Sequence, residues 1–345
     1  MRTFFHQDQR LHDPQQFMRV GRISAPTDVP SRVDSLLAAL AELGIAAEAP
    51  ADHGKAPVAS IHDGAYLTFL ETSFERWRQL PNAGPEVLPN LSPYWNGRPG
   101  EKRKACRSTS VVAQAGYYLG DLAVPIGAAS WRAIVASTHC AASAAEAVLA
   151  GEQVAYALCR PSGHHARADR ASGFCYANNA AIAAEALRSR FARVAVLDVD
   201  AHHGDGTQEI FYGRPDVLTV SIHVDPDAYY PFYTGYADER GFGAGEGFNL
   251  NLPLAPGSGD GEMHAAVDKA REAIFAFKAQ ALVLSLGFDS HREDPIGLLG
   301  VSTSGFRGVG SRVRELSLPT VIVQEGGYQT QVIGACLSET LAAFL

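Results

Sequence analysis

The sequence lacks the cysteine patterns that hold disulfide-rich domains and thiolate zinc sites together. Its five cysteines are odd in number and scattered, and no Cys-x-x-Cys pair occurs. Neither a disulfide framework nor a zinc cage built from thiolates is therefore indicated. No apolar run approaches the roughly 18 residues of a membrane span, and the first residues are polar rather than signal-like. These absences predict a cytoplasmic protein with reduced thiols and no membrane partner.

An excess of basic residues is also missing. Lys and Arg together number 29 and Asp and Glu 37, which gives a net charge of −8. A nucleic-acid binder usually needs a strongly basic surface, so no nucleic-acid partner is expected. The 345 residues are 46% hydrophobic and 19% charged. A chain of this length and composition can bury a large core without disulfides or a structural metal.

The N-terminal part of the chain contains one clear helix and one long irregular segment. The spacing of leucines predicts a helix from Ser31 to Leu43, capped by Ser31 and ended by Gly44. From residue 81 to about 110 the chain is rich in Pro, Gly and Asn, which predicts a loop excursion. We expect this loop to lie within a single domain that spans residues 1–345.

After residue 130 helical segments alternate with short, continuously apolar segments. Such segments are typical of strands buried on both faces by helices. The pattern predicts an α/β fold of three layers, αβα, around a central and mainly parallel sheet. In sheets of this kind, ligands bind beyond the carboxyl ends of the strands. The predicted strands begin at Val154, Val194, Val217, Ala281 and Thr320.

Polar side chains follow four of these strands. The segments are PSGHHA at 161–166, DVDAHHGDG at 198–206, GFD at 287–289 and EGGY at 325–328. Three carboxylates and two imidazoles within nine residues are costly to bury unless they bind a metal or pair with one another. We therefore expect these segments to meet at one edge of the sheet and to form a hydrolytic metal site.

The residue types in these segments suit zinc. Asp200 and His202 are two residues apart, so an extended chain places both on one face. With Asp289 they would form a three-ligand site with an open position, which is the catalytic arrangement for zinc. His164 and His165 suit a general base and a general acid.

Three further side chains complete this interpretation. Asp198 and Asp205 could fix the orientation of the imidazoles. Tyr328 follows two glycines and could donate its hydroxyl to an oxyanion.

Taken in order, PSGHHA, LDVDAHHGDGTQ, VSIH, LGFDS and EGGY resemble the motifs of the histone-deacetylase-like amidohydrolases, which have the arginase/deacetylase fold. FHQDQRLHDP and HDGAYLTFLE are similar to the bacterial acetylpolyamine amidohydrolases in particular. The resemblance covers nearly the whole chain. It implies that Asp200, His202 and Asp289 bind Zn²⁺, and that His165, paired with Asp205, is first the base and then the acid.

The resemblance also assigns the remaining catalytic residues. His164, paired with Asp198, would act mainly through its charge. Tyr328 would hydrogen-bond the substrate carbonyl. The narrow tunnel to the zinc would be lined at Gly173, Phe174, Tyr230 and Gly327.

Two monovalent-ion sites are implied in the same way, both built largely from backbone oxygens. The potassium site would comprise Asp198, Asp200, His202, Ser221 and Ile222. The second site would draw carbonyls from Phe211, Arg214 and Val217.

The sequence departs from related families at places that bear on the metal and the substrate. Arginases hold two manganese ions with carboxylates at the positions of Gly204 and His291, which favours one zinc ion and amide hydrolysis here. His291 is expected at the rim of the site. Acetylpolyamine enzymes place acidic groups near the tunnel mouth, where this chain has Phe17, Val112 and Ala123.

Charged residues nearby have no assigned place. Asp121 and Glu101 lie close in sequence to the expected mouth. The loop excursion carries a basic group, interpreted as a solvated surface: Arg98, Lys102, Arg103, Lys104 and Arg107. In the family this loop narrows the entrance and helps to form a dimer, so a homodimer is implied.

The sequence thus predicts a zinc-dependent deacetylase of small N-acetylated amines, with acetylpolyamines as the leading substrate class. A histone-deacetylase-like deacylase of acetyl-lysine, or of another small amide, is the alternative within this chemistry. Two other classes stay open: a non-catalytic protein that binds acylated ligands, and a two-manganese ureohydrolase.

Overall fold

The computed structural model describes residues 1–93 and 103–345. Part of the predicted loop excursion, including Arg98, Glu101 and Lys102, lies outside the described residues. The described flanks at 81–93 and 103–110 contain one isolated bridge, between Val87 and Ile126, and otherwise no helix or strand.

The centre of the fold is an eight-stranded sheet in which every pairing is parallel. Its strands follow the order β4-β1-β5-β10-β9-β6-β7-β8, and β2 and β3 form a separate antiparallel hairpin. The strands are β1 Arg2–Phe4, β2 Phe17–Arg19, β3 Arg22–Ser24, β4 Ala47–Glu48, β5 Val154–Ala157, β6 Val194–Asp198, β7 Val217–Val224, β8 Asn249–Leu254, β9 Ala281–Leu286 and β10 Thr320–Gln324.

Helices cover both faces of this sheet. They are α1 Ser31–Glu42, α2 Ala56–Ile61, α3 Gly64–Trp77, α4 Val111–Tyr118, α5 Ser130–Leu149, α6 Asn179–Arg188, α7 Asp205–Phe211, α8 Asp260–Phe277, α9 Thr303–Arg314 and α10 Ile333–Leu341. Within the described parts of the chain, none of them combines the length and the hydropathy that crossing a bilayer requires.

Side chains that alternate between the two faces of each strand produce the three layers. In β6, Val194 and Val196 pack into the cluster formed with α5 and α6, while Ala195 and Leu197 pack against α1, α8, α9 and α10. Successive side chains of a strand point to opposite faces, so a continuously apolar strand is buried on both faces. The predicted αβα fold with a parallel sheet is confirmed.

One predicted helix cap is wrong, and several short elements were not predicted from the sequence. The helix α1 begins at Ser31 itself, and no side chain caps it. It ends at Glu42, and Gly44 follows with a φ of +72°, the left-handed conformation that often follows a helix. Strands β1 and β4 have three and two residues, too few for a periodic pattern to show.

A buried charge network of two arginines and one aspartate ties α1, through Arg32, to the loop that follows β10. The Arg32 guanidinium donates to the Asp28 carboxylate over 2.6 Å, and Arg160 donates to the same oxygen over 2.9 Å. Arg32 also donates to the carbonyls of Gly327 and Glu325, over 2.5 and 2.7 Å. The position of this loop therefore depends on a charge network that is closed to water.

We expect Asp28→Ala to lower the free energy of unfolding by about 3–5 kcal/mol, because it leaves buried guanidiniums without their carboxylate. Burial opposes ionisation of Asp28, yet Arg160 and Arg32 lower its pKa to about 2, so the carboxylate is charged at neutral pH. Urea denaturation measures the change. The matched control is Asp34→Ala, which removes an exposed ion pair with Arg10 and should cost at most about 1 kcal/mol. Equal losses in the two variants would contradict the account.

Candidate active site

Four neighbouring strands deliver the polar side chains predicted from the sequence to one edge of the sheet. In the order β5-β10-β9-β6, these strands lead into the loops that carry His164, Tyr328, Asp289 and Asp200 respectively. Parallel strands place all their carboxyl ends at the same edge. Residues more than a hundred positions apart in the sequence therefore meet in one small volume.

Three of these side chains form a compact group of potential metal ligands. The ligand atoms of Asp200, His202 and Asp289 all lie within 4.8 Å of one another. His202 Nδ1 is 3.1 Å from Asp200 Oδ1 and 3.0 Å from Asp289 Oδ2. All three residues are buried. Two carboxylates and one imidazole thus converge on a single point.

Backbone amides hold the outer oxygens of both carboxylates. The amide of Gly326 donates to Asp200 Oδ2 over 2.8 Å, and that of Ala201 donates to Asp289 Oδ1 over 2.7 Å. Glycine is required beside this group, because a Cβ on Gly287 would lie 2.1 Å from Asp200 Oδ2. The ligand group is therefore oriented by the chain around it.

The electrostatics of the group suit a divalent cation. Burial raises the pKa of Asp289 to about 7, and the charge of Asp200 acts in the same direction. Burial also opposes ionisation of Asp200, but His164 and His202 hold its pKa below the usual range. Two carboxylates this close ionise together only beside sufficient positive charge. The nitrogen and oxygen donors are those that zinc accepts.

A second buried group of potential ligands does not fit a metal as well. His164, Cys175 and Glu325 also lie within 4.8 Å of one another. Glu325 Oε2 already accepts the amides of Gly163 and His164, at 2.7 and 3.2 Å. Burial raises the pKa of the Cys175 thiol well above its usual value, so the thiol is neutral. Since zinc binds the thiolate form, we assign no metal to this group.

Each of the two adjacent histidines faces its own carboxylate. His164 Nδ1 lies 2.9 Å from Asp198 Oδ2, and His165 Nδ1 lies 2.7 Å from Asp205 Oδ1. Arg167 donates to the other oxygen of Asp205 over 2.9 Å. His165 lines the cavity in front of the ligand group, whereas His164 lies behind it, with Nε2 3.8 Å from Asp200 Oδ1.

The two imidazoles have opposite pKa shifts. Burial opposes the protonation of His164, but Asp200 and Asp198 raise its pKa to about 10. Burial lowers the pKa of His165 to about 4, and the charge of His164 acts in the same direction. A charged imidazole thus lies beside a neutral one, an arrangement in which the neutral ring can accept a proton.

An apolar cavity of about 520 Å³ leads to this group. Aromatic side chains form much of its wall, among them Phe17, Phe174, Tyr229 and Tyr230. The cavity can hold an aliphatic chain with few polar groups.

Tyr328 lies at the inner end of the cavity and is 9% exposed. Its ring packs against Phe174 at a centroid distance of 5.5 Å, and the Arg32 guanidinium lies 4.7 Å from its centroid. Its amide donates to Asp294 over 2.7 Å. Burial raises the pKa of the Tyr328 hydroxyl well above its usual value, so it remains a donor. Gly327 turns the chain here with a φ of +115°.

Asp121 holds two walls of the cavity together, a role that the sequence analysis did not find. Its Oδ2 accepts the Gly173 amide over 2.9 Å and the Tyr230 hydroxyl over 2.7 Å. A Cβ on Gly173 would lie 2.4 Å from the His165 ring, so that position needs glycine. The carboxylate of Asp121 is therefore structural within the cavity.

Apart from Asp200 and His202, which also belong to the ligand group, the residues predicted for monovalent ions lie outside the cavity lining. Asp198 and Ser221 face each other in the register of β6 and β7, and Ile222 is buried beside them. Phe211 ends α7, and Val217 begins β7, at the end of that strand opposite the metal ligands. The remaining residue of the second set, Arg214, makes ion pairs with Glu185 and Asp216. Both ion sites stay predictions.

Three expectations about the surroundings of the site were wrong. His291 is buried, with Nε2 3.0 Å from the Thr303 hydroxyl, and does not lie at the rim. Val112 does not line the cavity, although Phe17 and Ala123 do. Arg103 is not a solvated cation, because it pairs with Asp169 over 2.7 Å and its side chain is 7% exposed.

Residues 27–344 match the family model described as the histone deacetylase domain. The chain belongs to the histone deacetylase family. The resemblance drawn from the motifs is thereby confirmed.

The matches to named members of this family cover almost the whole chain. The acetylpolyamine amidohydrolase of Burkholderia pseudomallei is 49% identical, over 97% of this chain and 96% of that protein. That of Mycoplana ramosa is 36% identical, over 99% and 98%.

Two solved structures share the fold. A crystal structure of the acetylpolyamine aminohydrolase from Burkholderia pseudomallei matches with a TM-score of 0.95 and 48% identity, over 100% of this chain and 98% of that one. The HD domain of HDA15 matches with a TM-score of 0.79 and 26% identity, over 99% and 90%.

We expect Gly287→Ala to weaken zinc binding about 10–100-fold, because the added methyl group displaces the Asp200 carboxylate. Competition with a chromophoric chelator measures the affinity, and circular dichroism checks the fold. The control is Gly261→Ala, at a position in α8 with no atom within 4 Å of the new Cβ, and it should bind zinc like the unaltered protein. Unchanged affinity in folded Gly287→Ala would show that this group does not hold the zinc.

Proposed function

We propose that the protein is a zinc-dependent amidohydrolase that removes the acetyl group from small N-acetylated amines, with acetylpolyamines as the leading substrate class. The observation that carries the proposal is the meeting of Asp200, His202 and Asp289 beside His165 and its carboxylate partner, at the inner end of an apolar cavity. The acetylpolyamine amidohydrolases among its relatives support the choice of substrate class.

Asp200, His202 and Asp289 would hold the zinc ion. Bound there, zinc would polarise the amide carbonyl and lower the pKa of a water molecule. Amide hydrolysis also needs a group that moves protons and a group that stabilises negative charge on the oxygen. The side chains around the inner end of the cavity can supply both.

In this proposal His165 moves the proton. Its Nδ1 is held by Asp205 at 2.7 Å, which leaves Nε2 as the nitrogen free to act. As the neutral ring, it would accept a proton from the attacking water at Nε2 and return it to the leaving amine nitrogen. His164 lies outside the cavity lining and would act as a fixed positive charge, held by Asp198.

Tyr328 is placed to recognise the carbonyl. Tyr328 lines the cavity, and burial keeps its hydroxyl protonated by raising its pKa, so the hydroxyl would donate a hydrogen bond to the oxygen as negative charge develops there. The aromatic walls would exclude water from the alkyl chain of the amine. Binding of K⁺, a homodimer and a cytoplasmic location are further expectations from the family resemblance.

The test is turnover of acetylputrescine, acetylcadaverine and an acetyl-lysine peptide by zinc-loaded protein, followed as released acetate. We expect turnover of the small amides, because the relatives that match almost the whole chain are acetylpolyamine amidohydrolases. Turnover of the peptide alone would favour the histone-deacetylase-like alternative. No acetate from any acetamide would reject the proposal.

A variant of the same protein serves as the control for catalysis. Tyr328→Phe removes one hydroxyl and should lower kcat about a hundredfold or more, while calorimetry shows that the substrate still binds. Equal turnover by both proteins would remove Tyr328 from the mechanism. Binding without turnover in both would indicate a non-catalytic ligand-binding protein.

A further inference from the structure

The mouth of the cavity carries a cation that has no ionic partner among the described residues. Arg19 lines the cavity at the end of strand β2. It forms no ion pair with any residue in the described ranges 1–93 and 103–345. Its one hydrogen bond there goes to the Tyr229 hydroxyl, over 3.2 Å. A guanidinium has five N–H donors, so most of its binding capacity is unused.

Arg19 is positioned by a tight turn. The β2–β3 hairpin turns at Val20 and Gly21, whose φ angles are +49° and +73°. Two consecutive positive φ angles are typical of the two-residue hairpin turn that fits the twist of the strands. The turn places Arg19 beside the Tyr229 ring, with Cζ 5.7 Å from its centroid.

Only one aromatic ring separates Arg19 from a metal ligand. The Tyr229 ring packs against His202 at a centroid distance of 5.1 Å. A short chain that runs from the ligand group along this wall would therefore end beside the Arg19 guanidinium. Arg19 would lie at the outer end of such a chain, and Tyr328 at its inner end.

Among the described residues that line the cavity, the one acidic side chain is Asp121, and its carboxylate is hydrogen-bonded to the cavity wall. Its Oδ1 accepts the Ala123 amide over 2.9 Å, and its Oδ2 accepts the Gly173 amide and the Tyr230 hydroxyl. A terminal ammonium group would thus meet a guanidinium and apolar side chains. A terminal carboxylate would meet a cation with free donors, which is the favourable pairing.

We propose that Arg19 is a specificity-determining residue that binds the far end of the substrate, and that the preferred substrates are N-acetylated amines ending in a carboxylate. Acetylated ω-amino acids would then be cleaved faster than acetylated diamines of the same chain length. This inference rests on the proposed deacetylase activity, and within small N-acetylated amines it ranks acetylated ω-amino acids above the acetylpolyamines that the relatives suggest.

Three acetamides with the same aliphatic chain test the inference: 6-acetamidohexanoate, N-acetylcadaverine and N-pentylacetamide. They end in a carboxylate, an ammonium and a methyl group, so their acetyl ends are alike. For the unaltered protein we expect kcat/KM to be highest for 6-acetamidohexanoate and lowest for N-acetylcadaverine, whose ammonium group would face the Arg19 guanidinium. The Arg19→Glu variant should lower the ratio of kcat/KM for the acid to that for the amine about tenfold or more, mainly through KM.

Arg22→Glu is the matched control. Arg22 lies directly opposite Arg19 in the hairpin register but does not line the cavity. Its substitution changes the net charge by the same amount and should shift the ratio much less. Turnover of N-pentylacetamide by each variant is the reference, because a change confined to the two charged amides separates recognition of the charged end from damage to the site.

The outcomes separate this inference from the proposed function. An unchanged ratio in Arg19→Glu, equal shifts in both variants, or an equal loss on all three amides would overturn the role of Arg19. A clear preference of the unaltered protein for N-acetylcadaverine would overturn the carboxylate preference, while the deacetylase would stand. No turnover of any of the three amides would instead reject the deacetylase, and the inference with it.

Discussion

The site is organised around two buried carboxylates that meet at one imidazole. Asp200 and Asp289 come from different strands, yet both lie about 3 Å from His202 Nδ1. Bringing like charges together inside a protein is costly unless a cation offsets them. The surrounding chain reflects this constraint, because backbone amides hold the outer oxygens and glycine leaves room beside them. The parallel sheet supplies the rigid frame that keeps the two aspartates in place.

Much of the fold and of the inner site could be predicted from the sequence. The central strands are continuously apolar, so their type and order along the chain were visible, and the Asp-x-His spacing marked the ligands. Other parts depend on contacts between distant segments. The pairing of Arg32 with Asp28, and the use of Asp121 to hold Gly173 and Tyr230, follow from the packing of loops. No local sequence pattern predicts such contacts. The position of Arg19 at the cavity likewise depends on how the hairpin packs, so it could not be predicted from the sequence.

The cavity divides into a chemical end and a recognition end. At the chemical end, each histidine and each carboxylate has a fixed partner, and the two imidazoles differ in charge. At the recognition end, the walls are aromatic. Arg19, which has no ionic partner among the described residues, belongs there to a hairpin separate from the main sheet. Such a division would let the mouth set the substrate while the catalytic side chains stay unchanged.

The most direct test of the metal site is diffraction from crystals of zinc-loaded protein, recorded on both sides of the zinc absorption edge. The account predicts one anomalous peak per chain, bounded by Asp200, His202 and Asp289. A peak in the neighbouring group of His164, Cys175 and Glu325, a second peak close to the first, or no peak at all between the two aspartates would contradict it.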